Sequence, residues 1–128
     1  MKAPADTRVL IVDDEPMMCE LLKELLSDAD FQVIAQASNG RSAIEKAESL
    51  KPDVICLDIN MPEVDGLDAL ASIKTTNKDI IVIMVTANSS SSNVQQAIRT
   101  GADGYIVKPF KRQQIIDAIR KAQMRRAG

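Results

Sequence analysis

A sheet of parallel strands joined by helices is the fold this 128-residue sequence predicts. Three observations point there. Apolar runs alternate five times with amphipathic stretches, the pattern of successive strand–helix units. The run Ile80-Ile-Val-Ile-Met-Val85 is apolar throughout, as expected of a strand covered on both faces. Four of the five runs stop at polar residues: Asp13-Asp14, Asp58, Thr86 and Lys108-Pro109.

The first strand is read at Val9 to Val12. Pro16 then suits the first turn of a helix, where its missing N–H does no harm. That helix carries Met18, Leu21, Leu22, Leu25 and Leu26 at i, i+3, i+4 spacing, which predicts a core-facing stripe. Phe31 to Ala37 is the second strand, ended by Asn39-Gly40. The helix with Ala43, Ile44, Ala47 and Leu50 follows, and Lys51-Pro52 stops it.

Val54 to Leu57 is the third strand, and the loop Asn60 to Gly66 leads to a helix through Leu67, Leu70 and Ile73. Ile80 to Val85 is the fourth strand. Ser89 to Ser92 reads as a polar loop or frayed helix start before the helix with Val94, Ala97 and Ile98. Gly101 to Gly104 turns into the fifth strand, Tyr105 to Val107. A last helix carries Ile115, Ile116, Ile119 and Ala122 and ends in basic residues, read as a solvated helix end.

At 128 residues a single domain with one core is expected, spanning 1–128, with no output domain of its own. The net charge of -2 gives no basic field and argues against direct nucleic-acid binding. Cys19 and Cys56 have no metal-type spacing and read as buried free thiols. No run approaches membrane-spanning length, so no membrane role is expected and a cytoplasmic protein is the default. The chain has no histidine, which excludes a histidine triad, a histidine metal site and a phosphohistidine of its own.

In an open parallel sheet the carboxyl ends of the strands share one edge, where ligands bind. Asp13, Asp14, Asp58, Thr86 and Lys108 would therefore converge there. Each has a plainer reading. An acid before a helix caps it, worth roughly 0.5 to 2 kcal/mol. One acid suffices for a cap, however, and a second repels it, so a divalent cation between Asp13 and Asp14 makes better sense of the pair. Asp58 is either a turn-bonded strand end or a carboxylate nucleophile that takes a phosphoryl group. Lys108 is either solvated or the ammonium that balances the acids and binds a phosphoryl oxygen. The Thr86 hydroxyl either ends a strand or donates to that oxygen. All four plain readings would have to hold together at four strand ends.

At this point the chain resembles the receiver domains of response regulators, the CheY-like family. The matching segments are Ile11 to Pro16, Leu57 to Gly66, Val85 to Ala87 and Gly101 to Phe110. The resemblance implies a doubly wound α/β fold of flavodoxin type, with five parallel strands ordered 2-1-3-4-5. It makes Asp58 the phospho-acceptor and places Mg²⁺, for which Mn²⁺ could substitute, on Asp14 directly and Asp13 largely through water. The Asp58 carboxylate and the main-chain carbonyl of Asn60 complete that set. Lys108 would pair with the acceptor, and the Lys108-Pro109 bond would be cis. Thr86 and Tyr105 would form the switch, acting on the surface of the fourth helix, fifth strand and fifth helix.

The implied function is two-component signalling: a phosphoprotein that is not a classical enzyme and performs only its own phosphorylation and dephosphorylation. A sensor histidine kinase or histidine phosphotransfer protein would be the donor, a protein effector the target, and a phosphorylation-dependent dimer a further partner. The positions of Asn60 and Asn88 bear on the lifetime of the acyl phosphate. Two rivals differ in class. One is the receiver half of a DNA-binding transcription regulator. The other is a Mg²⁺-dependent phosphatase of the haloacid-dehalogenase type, which would carry Asp-x-Asp where this chain has Asp58-Ile-Asn60.

Overall fold

The computed structural model describes residues 1–127. After a short 3₁₀ turn at Pro4–Asp6, five strands alternate with five helices: β1 Arg8–Val12, α1 Pro16–Asp28, β2 Gln32–Ala37, α2 Gly40–Leu50, β3 Val54–Leu57, α3 Gly66–Thr76, β4 Ile81–Thr86, α4 Ser91–Thr100, β5 Gly104–Val107 and α5 Arg112–Ala127. All pairings are parallel, in the order β2-β1-β3-β4-β5. The predicted fold class holds.

Side chains of a strand alternate between faces, so one sheet supports two cores. On one face Val9, Ile11, Cys56, Ile83 and Val85 pack with Leu22, Leu25 and Leu26 of α1 and Ile115 and Ile119 of α5. On the other, Leu10, Val12, Ile55, Leu57, Val82 and Met84 meet Ala43 and Ala47 of α2, Leu70 and Ile73 of α3, and Ala97 of α4. Every residue of β3 and β4 is buried, which is why those runs show no polar alternation.

Several local readings shift. Leu21 is 48% exposed, because α1 turns only Cys19, Leu22, Leu25 and Leu26 fully inward and leaves Met18 half-buried. Asn39 is the cap of α2 and Gly40 its first residue, with the Asn39 side chain accepting from the Ser42 N–H at 2.8 Å. Ser90 caps α4 in the same way, so Ser91 and Ser92 are helical. Lys51 closes α2 in the left-handed region, at φ 48°.

The basic end of α5 is anchored rather than free. Arg126 donates to Asp103 Oδ1 at 3.1 Å, and Arg125 to the Asp103 carbonyl at 2.6 Å. Asp103, just before β5, also accepts from the Val82 N–H at 2.9 Å and from Lys74 Nζ at 3.0 Å. Lys74 donates in addition to the Ile80 carbonyl, and its side chain is 9% exposed. This knot ties α3, β4, β5 and α5 together at the amino-terminal edge of the sheet. Among the described residues no helix is long and apolar enough to cross a membrane.

Candidate functional site

At the carboxyl edge, backbone hydrogen bonds carry the sheet ladder one residue past the strands. The Asp13 N–H donates to the Ala37 carbonyl, Asp58 to Val12 and Lys108 to Thr86, at 3.0, 3.0 and 2.9 Å. Each polar residue is thus fixed by its neighbouring strand before its side chain makes any contact. Thr86 is the last residue of β4 and wholly buried.

The side chains then converge. Asp13 Oδ1 accepts from the Glu15 N–H at 2.9 Å, and its Oδ2 receives Lys108 Nζ at 2.7 Å. Asp58 Oδ1 accepts from the Ile59 N–H at 2.7 Å, while its Oδ2 faces Lys108 Nζ at 3.4 Å. The lysine is therefore shared, and its shorter bond goes to Asp13 rather than to the expected acceptor. Asp13 is the more enclosed of the two carboxylates, at 1% side-chain exposure against 7%, and has the greater need of a counter-charge. Burial alone would pull the Lys108 ammonium below its ordinary value. The bond to Asp13 and the charges of Asp58 and Asp13 outweigh it and hold it above.

One oxygen each from Asp13, Asp14 and Asp58 lies within 4.8 Å of the others. Ligands on one Mg²⁺ stand about 3 to 4 Å apart, given octahedral bonds of about 2.1 Å, so these donors fit such an ion with small adjustments. Formally, three carboxylates and one ammonium leave two negative charges, the complement of a divalent cation. Asp14 is exposed and makes no ion pair among the described residues. Beside the acids, a cavity of about 260 Å³ is lined by Asp13, Asp14, Cys19, Ser38, Ser42 and Lys46 among others.

The Thr86 hydroxyl oxygen accepts from the Asn88 N–H at 3.2 Å. The Tyr105 hydroxyl donates to the Asn88 carbonyl at 2.6 Å, so the half-buried ring is tied to the loop between β4 and α4. Burial, and then the charge of Asp58, push that hydroxyl above its usual value. The Lys108-Pro109 bond is cis, as the resemblance implies. Asn60 is exposed, two residues beyond Asp58.

Two contributors escape a reading of strand ends. A Cβ on Gly66 would lie 2.0 Å from the Asp58 carbonyl oxygen, so only glycine lets α3 start this close to the acceptor. The Cys19 thiol donates to the Asp13 carbonyl at 3.3 Å, seating the acidic pair from below. Gly66 has a signal, the Asp65-Gly66 step before an apolar helix; the Cys19 bond has none.

Comparison with known proteins bears on this edge. The sequence profile of the response regulator receiver domain matches residues 9–120. The chemotaxis protein CheY of Listeria monocytogenes is 44% identical over 115 residues, 90% of this chain and 97% of that protein. The nitrate/nitrite response regulator protein NarL of Escherichia coli is 36% identical over 115 residues, 89% of this chain but 53% of that one. Among solved structures, a chain of the CheX-CheY-BeF3-Mg+2 complex from Borrelia burgdorferi superposes with a TM-score of 0.87 at 31% identity, covering 90% of this chain and 87% of that one.

Proposed function

The chain belongs to the response regulator receiver domain family of two-component signalling, and on that footing we propose that it is a phosphoacceptor switch whose acceptor is Asp58. Residues 1–128 form one receiver domain in this reading. The observation that carries it is the grouping of Asp13, Asp14 and Asp58, one oxygen of each within 4.8 Å of the others, with Lys108 Nζ bridging two of them.

The Ile59 N–H holds one oxygen of Asp58 and leaves the Lys108-facing oxygen as nucleophile. That oxygen forms a bond to phosphorus while the P–N bond of a partner's phosphohistidine breaks; the imidazole leaves with the electron pair and takes up a proton. Mg²⁺, or Mn²⁺ in its place, would be held by Asp14, by Asp13 largely through water, by Asp58 and by the Asn60 main-chain carbonyl, and when bound it neutralises charge on the transferring group. Lys108 orients a phosphoryl oxygen. Thr86 already accepts from Asn88, which leaves its hydroxyl proton to donate to the same group.

The product adds about -1.5 to -2 of charge at one point. Thr86 moves towards it, and Tyr105, bonded to the loop that follows Thr86, carries the change to α4, β5 and α5. That face suits a binding output: α4 buries only Ala97, Ile98 is 52% exposed and Val107 39%. The donor is a sensor histidine kinase or a phosphotransfer protein, and the output partner is a protein. The protein turns over no substrate other than its own acyl phosphate.

A second reading, a receiver joined to a DNA-binding output segment, draws on the match to about half of NarL. The gene sequence beyond codon 128 decides it.

Intact-mass measurement after incubation with acetyl phosphate tests the proposal. One added phosphoryl group that requires both Mg²⁺ and Asp58 is expected. A gain that persists in Asp58→Asn, or none in the wild type with short quenching and a donor kinase supplied, refutes it.

A further inference from the structure

The loop between Asp58 and α3 is closed at its neck and strained at its back. At the neck, Gly66 N–H donates to the Ile59 carbonyl at 2.7 Å, across the backbone of the acceptor. At the back, Glu63 takes the left-handed region at φ 65°. A non-glycine residue stays there only where its surroundings over-determine it.

What presses on that back is α2. Gly40 is buried as its first residue, and a Cβ there would lie 1.9 Å from the Val64 carbonyl oxygen and 2.7 Å from Val64 Cβ. No real side chain tolerates such distances, so any other residue must displace the Val64 peptide. The Arg41–Glu63 ion pair, 3.5 Å and exposed, joins the same two elements. Helix α2 cannot easily retreat, since Asn39 caps it and Ala43 and Ala47 bury it against the sheet.

We propose that Gly40 is a positioning residue for the cation pocket: its bare backbone lets the loop seat against α2, and that seat aims the Asn60 carbonyl at the acidic cluster. This rests on the phosphoacceptor reading above. The residue touches none of the reacting atoms and acts through Val64 alone.

Isothermal titration with Mg²⁺ alone tests it on wild type, Gly40→Ala and Ala47→Gly, the last weakening the same helix two turns from the loop. In Gly40→Ala the Mg²⁺ dissociation constant rises about tenfold, as for other outer-shell supports of a metal site. In Ala47→Gly it stays at the wild-type value although the unfolding midpoint falls. Acetyl-phosphate labelling of Gly40→Ala recovers at saturating Mg²⁺. Equal affinity in Gly40→Ala and wild type, or equal loss in both variants, overturns the role of Gly40. Absence of binding in the wild type overturns the cation reading itself. Should Gly40→Ala not fold, Val64→Gly decides, because it loosens the loop while leaving α2 intact: a similar loss supports the seat, and unchanged affinity removes it.

Discussion

Two partly buried lysine–aspartate groups stand at opposite edges of the same sheet, and they are built to different ends. At the amino-terminal edge Asp103 receives Lys74, Arg126 and the Val82 N–H, so its oxygens are fully engaged and its charge more than matched. At the carboxyl edge Lys108 is divided between Asp13 and Asp58, with Asp14 exposed beside them. The first group is satisfied within the fold. The second carries surplus negative charge, and the Asp14 carboxylate has no cation beside it among the described residues. Satisfaction marks a structural knot, and surplus is what the proposed cation and phosphoryl site requires.

The largest test of this contrast is on stability. Asp103→Ala removes the shared partner of Lys74, Arg126 and the Val82 N–H, and should cost about 1 to 3 kcal/mol in denaturant unfolding. Asp58→Asn removes one of the crowded carboxylates and should raise stability by about 1 kcal/mol, the usual gain when a site under functional strain is relieved. If both substitutions destabilise equally, the two edges do not differ as described.

Mg²⁺ sharpens the comparison next. At ten times its dissociation constant it should stabilise the wild type by about 1.4 kcal/mol, because it binds the folded state. A thermal scan should show that increment in Arg126→Ala and not in Asp13→Asn. Loss of the increment in Arg126→Ala would tie the cation to the wrong edge.

The two lysines should also titrate in opposite senses. Burial first, only partly offset by Asp103, holds Lys74 below the ordinary lysine value, whereas Lys108 is held above it. Lys74 gives up its proton more readily when folded. Its contribution to stability therefore improves as pH rises from its folded value towards the unfolded 10.5. The contribution of Lys108 is complete below 10.5 and is lost only as pH climbs through its higher folded value. NMR of the lysine side-chain carbons should show Lys74 titrating before Lys108; the reverse order would break the contrast.

The smallest effect concerns the thiols. Both cysteines are buried, and burial pushes Cys56 up to about 12. Burial and then Asp13 raise Cys19 as well. A thiol reagent should leave both unlabelled in the native protein and label Cys19, at the acidic edge, before Cys56 as denaturant is added. Prompt native labelling of Cys19 would mean that this edge is more open than described.

The contrast also shows what a sequence makes legible. Strand ends could be read because a parallel sheet sends every carboxyl end to one edge, so the polar residues that stop the runs at Asp13, Asp58, Thr86 and Lys108 were expected at that edge, where Lys108 indeed meets Asp13 and Asp58. The Lys74–Asp103–Arg126 knot could not be read: its members are 29 and 23 residues apart and sit in unremarkable surroundings. The basic end of α5 looked solvated for that reason. Leu21 fitted the helical period of the α1 stripe, yet period alone does not say how wide a face the sheet covers. Asn39-Gly40 carried a turn signal that belonged to a helix cap, and the role of Gly40 depends on Val64, which only the folded chain brings against it.

Mg²⁺ calorimetry on the wild type, Asp14→Asn and Asp103→Asn tests the central claim most directly. One site should bind in the wild type, persist in Asp103→Asn, where the amide still accepts from Val82, and disappear in Asp14→Asn. Binding that survives in Asp14→Asn, or vanishes in Asp103→Asn, would contradict the assignment of the carboxyl edge as the cation and phosphoryl site.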